Sequence, residues 1–354
     1  MTPTDDSPSP PARAYTPLAG KIALEEAFTL PNMPQLGSVH AWQRTERYEP
    51  VLRNLPDIYG RIEKMDRYGV ALEVLSLSSP GLQGVPDARL GREYMQRAND
   101  ELAGIIAKRP DRFAGFAALA MHDPDFAADE LERCVHDLGF KGALLNGCQN
   151  VGDSTTVAYL DEPQYLPFWR RVEALGLPVY IHPRDFIDGQ QRIIDGRPEL
   201  HASVWAYTPE TAGHAMRLIT SGLFDKCPRL QVILGHLGEA LSFFIDRIDR
   251  RVTYIEEMMD PRLEHPPSYY LRNNFYFTTA GAFDTLALQN AIGVLGVERI
   301  LFSIDDPFET FADAVDWFET APFSPEDRRR IGYENASRLL RLRNPGKNPC
   351  NSSG

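Results

Sequence analysis

Four short apolar runs of the sequence end in side chains that can bind a metal ion or carry a proton. One run is followed by Asp305 and Asp306, and the other three have Glu25, His182 and His236 at or near their ends. Short apolar runs closed by a breaker are typical of strands buried on both faces. A carboxylate there is costly unless a metal or partner meets it, and carboxylates and neutral imidazoles are the usual ligands of Zn²⁺ and Mn²⁺. The pattern therefore predicts one metal site built from four strand ends.

Each of these signals has an ordinary structural alternative. Glu25 could be a solvent-facing acid at a strand end, and His182 could be a buried histidine with a purely structural role. His236 lies between two glycines, which allow close approach of the backbone to a ligand but also serve an ordinary tight turn. The combination of the four groups, rather than any one of them, favours a metal site.

Strand and helix patterns alternate along the chain. Strands are predicted at 21–28, 71–77, 113–120, 141–146, 177–182, 230–235, 274–279 and 299–304. Helices are predicted at 57–68, 91–108, 124–138 (capped by Asp123), 164–175, 208–221, 239–258, 283–294, 310–320 and 325–342. Eight such units close into an α/β fold of the (β/α)8 or TIM-barrel type, here with an extra C-terminal helix and long strand-to-helix loops. A doubly wound open sheet is the structural alternative. Barrel active sites lie at the C-terminal ends of the strands, where the four groups fall.

The first strand decides which of two adjacent acids faces the barrel interior. A period of two places Ala23, Glu25 and Ala27 on one face. The other face then carries Ile22, Leu24, Glu26 and Phe28. Small residues beside an acid suit a narrow interior, so we expect Glu25 to point inward and Glu26 to point toward the helices.

The two ends of the chain differ in composition from the part between them. Residues 1–17 and 344–354 are rich in Pro, Ser, Asn and Gly, which predicts disordered tails around a barrel domain at 18–343. Two long loops flank the expected site. The loop at 183–207 exceeds the usual length of a structureless connection and is interpreted as a lid or subunit contact. The loop at 29–55 is a candidate wall.

Composition excludes several classes of function. The chain has 354 residues, a net charge of -12 and a pI near 5.2, and it lacks a basic stripe, which argues against nucleic-acid binding. The N-terminus has no apolar signal segment, and no apolar run approaches the roughly 20 residues that span a bilayer. The four cysteines have no CxxC spacing and are interpreted as reduced thiols. These features predict a cytoplasmic protein without a membrane partner.

Further candidates lie in the loops and helices around the site. Arg247 follows His236 by eleven positions and could contact a substrate, support a subunit contact or form a surface salt bridge. Aromatic residues such as Phe28, Trp205 and Phe308 could be packing residues or could line a flat aromatic pocket. The sequence contains neither a nucleophile elbow nor a phosphate-binding loop.

Five runs together carry a resemblance to a known family. They are Gly-Lys-Ile-Ala-Leu-Glu-Glu-Ala-Phe (20–28), Leu-Gly-Phe-Lys-Gly-Ala-Leu-Leu-Asn-Gly (138–147), Ile-His-Pro-Arg (181–184), Ile-Leu-Gly-His-Leu-Gly-Glu (233–239) and Ile-Leu-Phe-Ser-Ile-Asp-Asp-Pro-Phe-Glu (300–309). The chain from about 20 to 342 resembles the non-oxidative aromatic-acid decarboxylases of the amidohydrolase superfamily, which act on γ-resorcylate, 2,3-dihydroxybenzoate or salicylate. The resemblance implies a single divalent metal held by Glu25, His182 and Asp305. It also implies that His236 is catalytic and that Glu239 is its acidic partner.

The chain departs from the family pattern at two positions. Ala27 stands where the γ-resorcylate enzymes have a histidine ligand. The 2,3-dihydroxybenzoate and salicylate branches also have alanine at this position. Asp306 stands where relatives usually have Trp, Tyr or Ser, which would place an extra acid beside the pocket. The fourth strand ends in Asn146 and Gly147 without a lysine, so the carbamylated-lysine bridge of binuclear relatives is not available. We therefore expect one Zn²⁺, Mn²⁺ or Mg²⁺ ion per chain and no organic cofactor.

These expectations lead to one main hypothesis and two alternatives. The main hypothesis is reversible decarboxylation of an ortho-hydroxybenzoate, with Asp305 protonating the ring before CO₂ leaves, His236 behind it and Glu239 orienting His236. The substrate, a small aromatic carboxylic acid, would be bound by Phe28, Arg247, Phe308, Trp205 and Asp306, and the protein would be a homodimer or homotetramer. The alternatives are a metal-dependent hydrolase or hydratase acting on an ester, lactone or dienoic acid, which the extra acid Asp306 favours, and a non-catalytic barrel.

Overall fold

The computed structural model describes residues 18–30, 45–46, 48–187, 189 and 192–342. The predicted tails at 1–17 and 344–354 lie outside the described residues, as does part of the predicted wall at 29–55. The domain boundaries at 18 and 343 stay a prediction.

Parallel strands form the barrel that the sequence predicts. In the described part of the chain the strands are β1 (Lys21–Phe28), β2 (Val70–Leu77), β3 (Phe113–Gly115), β4 (Ala117–Ala118), β5 (Ala143–Asn146), β6 (Gln149–Asn150), β7 (Val157–Ala158), β8 (Val179–His182), β9 (Val232–Leu234), β10 (Phe275–Thr278) and β11 (Ile300–Leu301). One parallel ladder has the order β1-β2-β3 and the other β4-β5-β8-β9-β10-β11, while β6 and β7 form a separate antiparallel pair. β3 and β4 are one barrel strand interrupted at Phe116, whose N–H bonds to the carbonyl of Leu75 in β2 at 3.0 Å. Each of the eight predicted strands is present, which confirms the (β/α)8 fold.

Side-chain hydrogen bonds join the last strand to the first. Ser303 follows β11, and its Oγ accepts the backbone N–H of Glu25 at 2.7 Å and of Leu24 at 3.3 Å. The same hydroxyl donates to Oε1 of Glu26 at 2.9 Å. The backbone of Ala27 also donates to the carbonyl of Asp306 at 2.9 Å. The seam of the barrel therefore lies beside the expected site.

Helices cover the outside of the barrel. They are α1 (Glu49–Asn54), α2 (Ile62–Tyr68), α3 (Ala88–Lys108), α4 (Pro124–His136), α5 (Leu166–Leu175), α6 (Tyr207–Thr220), α7 (Leu223–Lys226), α8 (His236–Glu239), α9 (Leu241–Val252), α10 (Pro267–Asn274), α11 (Thr285–Leu295), α12 (Phe311–Thr320), α13 (Pro325–Arg329) and α14 (Asn335–Leu339). Asp123 caps α4 as predicted, because its carboxylate accepts the N–H of Phe126. The single helix predicted at 325–342 is divided by a π-helical turn, Arg330–Glu334.

The alternation predicted for β1 is wrong in its first half. Ile22 and Leu24 pack in the barrel interior, whereas Ala23 packs in the core between the barrel and the helices. The ladder with β2 shifts register between Ala23 and Glu26, so one extra residue is inserted there as a β-bulge. The bulge makes the consecutive residues Leu24 and Glu25 both face inward. Glu25 therefore points inward as predicted, but through the bulge and not through an unbroken period of two.

Two apolar clusters account for the burial. The larger lies between the barrel and the surrounding helices, and the smaller fills the barrel interior. Ala336 and Leu339 of α14 belong to the interior cluster, so the C-terminal helix packs against the inside of the barrel. Among the described residues, no helix combines the length and apolar character that crossing a bilayer requires. The predicted lid at 183–207 contains three short 3-10 turns, Arg192–Ile194, Pro198–Leu200 and Ala202–Val204, and its role stays a prediction.

Candidate active site

The four predicted strand-end groups meet in the structure. Oε1 of Glu25 is 3.2 Å from Nε2 of His182 and 3.8 Å from Nε2 of His236. Nε2 of His236 is in turn 3.8 Å from Oδ2 of Asp305. The chain thus brings together two acids and two imidazoles from four different strands, with sequence separations of up to 280 residues between Glu25 and Asp305.

Glu25 is held by the barrel interior. Its Oε2 accepts a hydrogen bond from the phenol of Tyr180 and another, at 3.2 Å, from Thr278. Its Oε1 is buried and has no hydrogen-bond partner among the described residues. Burial opposes ionisation, but the charge of His236 and the interactions with His182 and Tyr180 outweigh it and lower the pKa of Glu25. Glu25 is therefore an ionised carboxylate with one oxygen free to bind a cation.

His182 points its Nε2 at that oxygen. Its Nδ1 is 2.8 Å from the carbonyl of Pro183, which can only accept, so Nδ1 carries a proton. Nε2 lies 3.2 Å from Oε1 of Glu25 and is the ring nitrogen available to a metal ion. This fixed tautomer is the arrangement of metal-binding histidines, whose other ring nitrogen bonds a carbonyl or carboxylate.

His236 lies on a left-handed turn. The φ angles are +50° for His236, +55° for Leu237, +78° for Gly238, +53° for Glu239 and +62° for Ala240. Left-handed backbone costs about 1–2 kcal/mol for each residue other than glycine, so surrounding contacts must hold the turn. A Cβ on Gly238 would lie 2.2 Å from the ring of Phe277, which explains the glycine. The turn replaces the first part of the helix predicted at 239–258, and α9 begins only at Leu241.

A chain of hydrogen bonds runs behind His236. Nδ1 of His236 donates to Oε1 of Glu239 at 2.7 Å, and Oε2 of Glu239 accepts the hydroxyl of Thr208 at 2.8 Å. Burial disfavours the charged imidazole, but the carboxylates of Glu239 and Glu25 and the nearby Asp305 outweigh it and raise the pKa of His236 well above its usual value. His236 can therefore keep a proton on Nε2, facing Asp305.

Asp305 also occupies a left-handed conformation, with φ +79°. Burial raises the pKa of Asp305 to about 6, although the interaction with the nearby His236 opposes the rise. The carbonyl of Asp305 accepts the N–H groups of Phe308 at 2.8 Å and Glu309 at 2.9 Å, which closes the turn after β11. A carboxyl group with a pKa near neutrality is suited to giving and taking a proton.

The donor set fits a divalent metal ion. Ligands at the usual bond lengths of about 2.0–2.2 Å lie roughly 3.0–3.5 Å from one another, which matches the 3.2 Å between Glu25 and His182. As the side chains stand, no three of these groups converge on one point within the described residues. The carboxylate of Glu25 contacts Tyr180 and His182 directly. Glu25, His182 and Asp305 would be the residues that hold such an ion.

Asp306 does not line the site, which corrects the prediction that it binds substrate. Its side chain is 2% exposed and points to the helix side of β1, where Oδ2 lies 3.2 Å from Nε of Arg61. Lys64 approaches Oδ1 at 3.7 Å. The sequence places Asp306 next to Asp305, but adjacent residues of a turn point in different directions. An acid that pairs with a buried guanidinium cannot also contact a substrate in the barrel mouth.

The other predicted substrate contacts are placed differently. Phe28 is 1% exposed in the core between barrel and helices, because the register after the bulge turns it away from Ala27, so it does not face the barrel mouth. Phe308 is partly exposed with its ring 6.4 Å from that of Tyr48. Trp205 is half-exposed at the end of the predicted lid. Arg247 is exposed on α9 and contacts none of the four donors within one chain, among the residues that the structure describes.

Several residues that form hydrogen bonds with the site or its supporting backbone were not predicted from the sequence. Tyr180 lies two residues before His182 and shares its inward face, so the period of two would have identified it. Thr208, Ser303 and Glu26 gave no local signal, because their partners are brought near only by closure of the barrel. The prediction that Glu239 pairs with His236 describes the geometry that the structure shows.

Comparisons with known proteins agree on one family. A family model described as amidohydrolase matches residues 39–342. The γ-resorcylate decarboxylase of Rhizobium sp. (strain MTP-10005) is 45% identical over 328 residues, which are 92% of this chain and 99% of that protein.

Solved structures extend the similarity to the fold. The crystal structure of 2,6-dihydroxybenzoate decarboxylase from Rhizobium has a TM-score of 0.86 and 45% identity, covering 92% of this chain and 99% of that one. The dihydroxybenzoic acid decarboxylase from Polaromonas sp. JS666, solved with manganese and the inhibitor 2-nitroresorcinol, has a TM-score of 0.85 and 43% identity and covers 92% and 98%. Because the family model covers most of the chain, and sequence and fold agree with these relatives over 92% of it, this protein belongs to the amidohydrolase family.

Proposed function

We propose that this chain is a metal-dependent carboxy-lyase that removes CO₂ from an ortho-hydroxybenzoate, without an organic cofactor. The observation that carries the proposal is the line of groups from Asp305 through His236 to Glu239, in which Nε2 of His236 lies 3.8 Å from the free oxygen of Glu25. The line can deliver a proton to one point above a cation site. The similarity to γ-resorcylate and 2,6-dihydroxybenzoate decarboxylases supports the same reaction.

Glu25, His182 and Asp305 would hold the metal, with open positions for substrate. Zn²⁺, Mn²⁺ and Mg²⁺ are all compatible with carboxylate and imidazole ligands, and manganese in the relative from Polaromonas makes Mn²⁺ the first ion to try. The bound ion would act as a Lewis acid toward the carboxylate and the neighbouring phenolic oxygen of the substrate.

The residues of the chain supply the proton. Loss of CO₂ from an intact aromatic ring would leave an aryl anion, so the ring carbon must be protonated first. Asp305 is placed to give that proton, because its Oδ2 lies 3.8 Å from Nε2 of His236, a group that can replace the proton. His236 then returns a proton to Asp305, and Glu239 orients and stabilises the imidazolium. The same groups, used in reverse, would carboxylate a phenol when CO₂ is abundant.

The walls of the site suit a flat ring. Phe308 follows Asp305 by three residues, its ring lies 6.4 Å from that of Tyr48, and Trp205 is half-exposed at the end of the predicted lid. Aromatic side chains in such positions commonly bound small-molecule pockets. We propose a small aromatic carboxylic acid as substrate, with Phe308 and Trp205 as contacts.

We also propose that the chain forms a homodimer or homotetramer in the cytoplasm. Phe243 and Phe244 on α9 are more than half exposed, beside the exposed Arg247, and an apolar helix face of this kind favours a subunit contact. Arg247 would then meet substrate or partner at that contact. Cys134, Cys148 and Cys227 are buried free thiols, which suits a reducing compartment. Light scattering of wild-type protein and of a Phe243→Ser, Phe244→Ser double variant tests the assembly.

The decisive experiment combines turnover in D₂O with the Asp305→Asn variant. Manganese-loaded protein is offered salicylate, 2,3-dihydroxybenzoate and 2,6-dihydroxybenzoate, and NMR locates deuterium at the vacated ring carbon. Asp305→Asn should lower turnover by roughly 10²–10⁴-fold, the usual range for a general acid. Asp284→Asn, at the exposed cap of α11, is a matched control that should leave turnover unchanged.

Two results would contradict the proposal. Full activity of Asp305→Asn would remove Asp305 from the proton transfer. Unchanged acids from metal-loaded protein, with solvent ¹⁸O incorporated into an ester, lactone or dienoic acid instead, would favour the hydrolase or hydratase alternative. That alternative has lost its original support, because Asp306 is buried away from the site.

A further inference from the structure

A cluster of buried charges lies behind the site, on the helix side of β1 and β2. It consists of Glu26, Arg61, Glu73 and Asp306, each at most 2% exposed, and we refer to these four residues as the rear cluster. None of them takes part in the proposed chemistry. A domain seldom buries so many charges together unless they perform a task.

The rear cluster holds the turn that carries Asp305. Oε1 of Glu26 accepts the hydroxyl of Ser303 at 2.9 Å and the N–H of Ile304 at 3.0 Å, and Oε2 accepts the N–H of Asp306 at 2.9 Å. In the opposite direction, the N–H of Ala27 donates to the carbonyl of Asp306 at 2.9 Å. The turn is therefore tied to the end of β1 on both sides.

Arg61 ties the same two segments through its side chain. Its Nε lies 3.2 Å from Oδ2 of Asp306, its Nη1 lies 3.6 Å from Oε2 of Glu73, and its Nη2 donates to the carbonyl of Ala27. A guanidinium can make these contacts at once because its donors form a rigid planar fork. Lys64, whose side chain is 43% exposed, adds only a distant contact to Asp306 at 3.7 Å. Arg61 thus joins the end of β1 to the side chain of Asp306.

Both acidic candidate ligands have a neighbour in this cluster. Glu25 precedes Glu26, and Asp305 precedes Asp306. Because of the bulge in β1 and the φ of +79° at Asp305, the two residues of each neighbouring pair point in opposite directions. One side chain of each pair points into the barrel and the other into the rear cluster. Such backbone persists only where the surroundings hold it. The cluster supplies these contacts from outside the barrel.

We infer that the rear cluster positions the metal site: the Arg61–Asp306 ion pair and Glu26 hold the two backbone segments that carry Glu25 and Asp305 next to each other. The inference rests on the metal site of the proposed function, but it does not depend on which acid is the substrate. Asp306 and Arg61 are positioning residues, since neither touches the reacting atoms. Loss of groups that orient metal ligands commonly weakens metal binding or activity about 10–100-fold.

The test replaces Asp306 by asparagine, which keeps the shape and backbone contacts and removes the charge. Arg61 keeps a counter-ion, because Glu73 lies 3.6 Å away, so the variant is expected to fold. Glu319→Gln is the matched control. Glu319 forms a comparably buried ion pair with Lys21 at 2.9 Å, at the opposite end of β1 from the site.

Two measurements on the protein without substrate separate positioning from general stability. One is the affinity for Mn²⁺, followed by the electron paramagnetic resonance signal of free Mn²⁺. The other is backbone hydrogen exchange of residues 302–308 in the metal-free protein. We expect Asp306→Asn to weaken Mn²⁺ binding by about 10–100-fold and to speed exchange in this segment. Glu319→Gln should lower the melting temperature and leave both quantities at wild-type values.

The inference is overturned if Asp306→Asn binds Mn²⁺ as tightly as wild type with unchanged exchange, or if Glu319→Gln weakens binding equally. Arg61→Lys provides a second variant should Asp306→Asn fail to fold. Lysine keeps the charge but lacks the fork, so the same loss of affinity is expected, and wild-type affinity would refute the role of Arg61. Wild-type protein that binds Mn²⁺ but decarboxylates no acid would refute the proposed function and leave this inference standing.

Discussion

Replacement of Glu239 by glutamine removes one charge from the line of groups behind Asp305 and leaves its shape intact. The Glu239 side chain is almost fully buried, its Oε1 lies 2.7 Å from Nδ1 of His236, and its Oε2 accepts the hydroxyl of Thr208. In the variant, the imidazolium of His236 loses its closest counter-charge. The remaining carboxylates, Glu25 and Asp305, are each 3.8 Å from Nε2 of His236.

The size of the effect follows from the geometry. A hydrogen bond to a charged group contributes about 1.5–3 kcal/mol, and each 1.36 kcal/mol changes a rate about tenfold. Because Glu239 stabilises the imidazolium more than the neutral ring, we expect kcat to fall roughly 10- to 150-fold with little change in KM. The same loss should lower the pKa of His236, which the Glu239 carboxylate raises against the opposing effect of burial.

The assay measures kcat and KM for the preferred hydroxybenzoate with manganese-loaded protein, and NMR titration follows the His236 ring in the metal-free protein. Glu130→Gln is the control, because Glu130 is equally buried but bonds Asn99 and Arg133 far along the chain from the site. It should reduce stability and leave kcat unchanged. Wild-type kcat in Glu239→Gln, or an unaltered His236 titration, would refute the reasoning.

Three further outcomes are expected. Thr208→Val removes one hydrogen bond of 2.8 Å to Glu239 and should lower kcat severalfold without altering the Mn²⁺ affinity. Weaker Mn²⁺ binding by this variant than by wild type would contradict the expectation. Burial lowers the pKa of His214 to about 3 in the folded chain, whereas the unfolded chain binds this proton near pH 6.5. The free energy of unfolding therefore falls as the pH drops below about 6.5. Between about pH 7.5 and about pH 5 this loss amounts to about 2 kcal/mol, and urea unfolding should show it in wild type but not in His214→Gln. Mn²⁺ at about 100 times its Kd should stabilise the fold by about 2.7 kcal/mol, and a chelator should reverse the rise in melting temperature; an unchanged melting curve would contradict a metal site.

Local patterns in the chain were enough to predict the architecture. Apolar runs with breakers and helical periodicity identified each barrel strand, because both signals arise within a few residues. The same runs placed Glu25, His182, His236 and Asp305 at strand ends, and parallel strands of a barrel bring such ends to one face. The residue types then indicated a metal, since few other structures collect acids and imidazoles in a buried position.

The direction of individual side chains required the folded chain. The bulge in β1 depends on how the backbone of this strand pairs with β2, and no pattern within residues 21–28 predicts it. From the sequence, Asp306 was predicted to be a second acid of the site. In the folded chain it pairs instead with Arg61, 245 residues earlier in the sequence. Phe28 is different, because the period of two already placed it with Glu26 on the helix-facing side, and its assignment to the pocket did not follow from that pattern.

The sequence by itself determined the eight-strand alternation and the inventory of strand-end acids and imidazoles, because these depend on periodicity and short spacing. The family resemblance indicated the pairing of His236 with Glu239. Only the tertiary structure decided the left-handed turn at His236, the free oxygen of Glu25 and the burial of Asp306. Each of these depends on partners far apart in the chain, such as Tyr180 for Glu25, which are 155 positions apart. Closure of the barrel creates those contacts, and no local pattern encodes them.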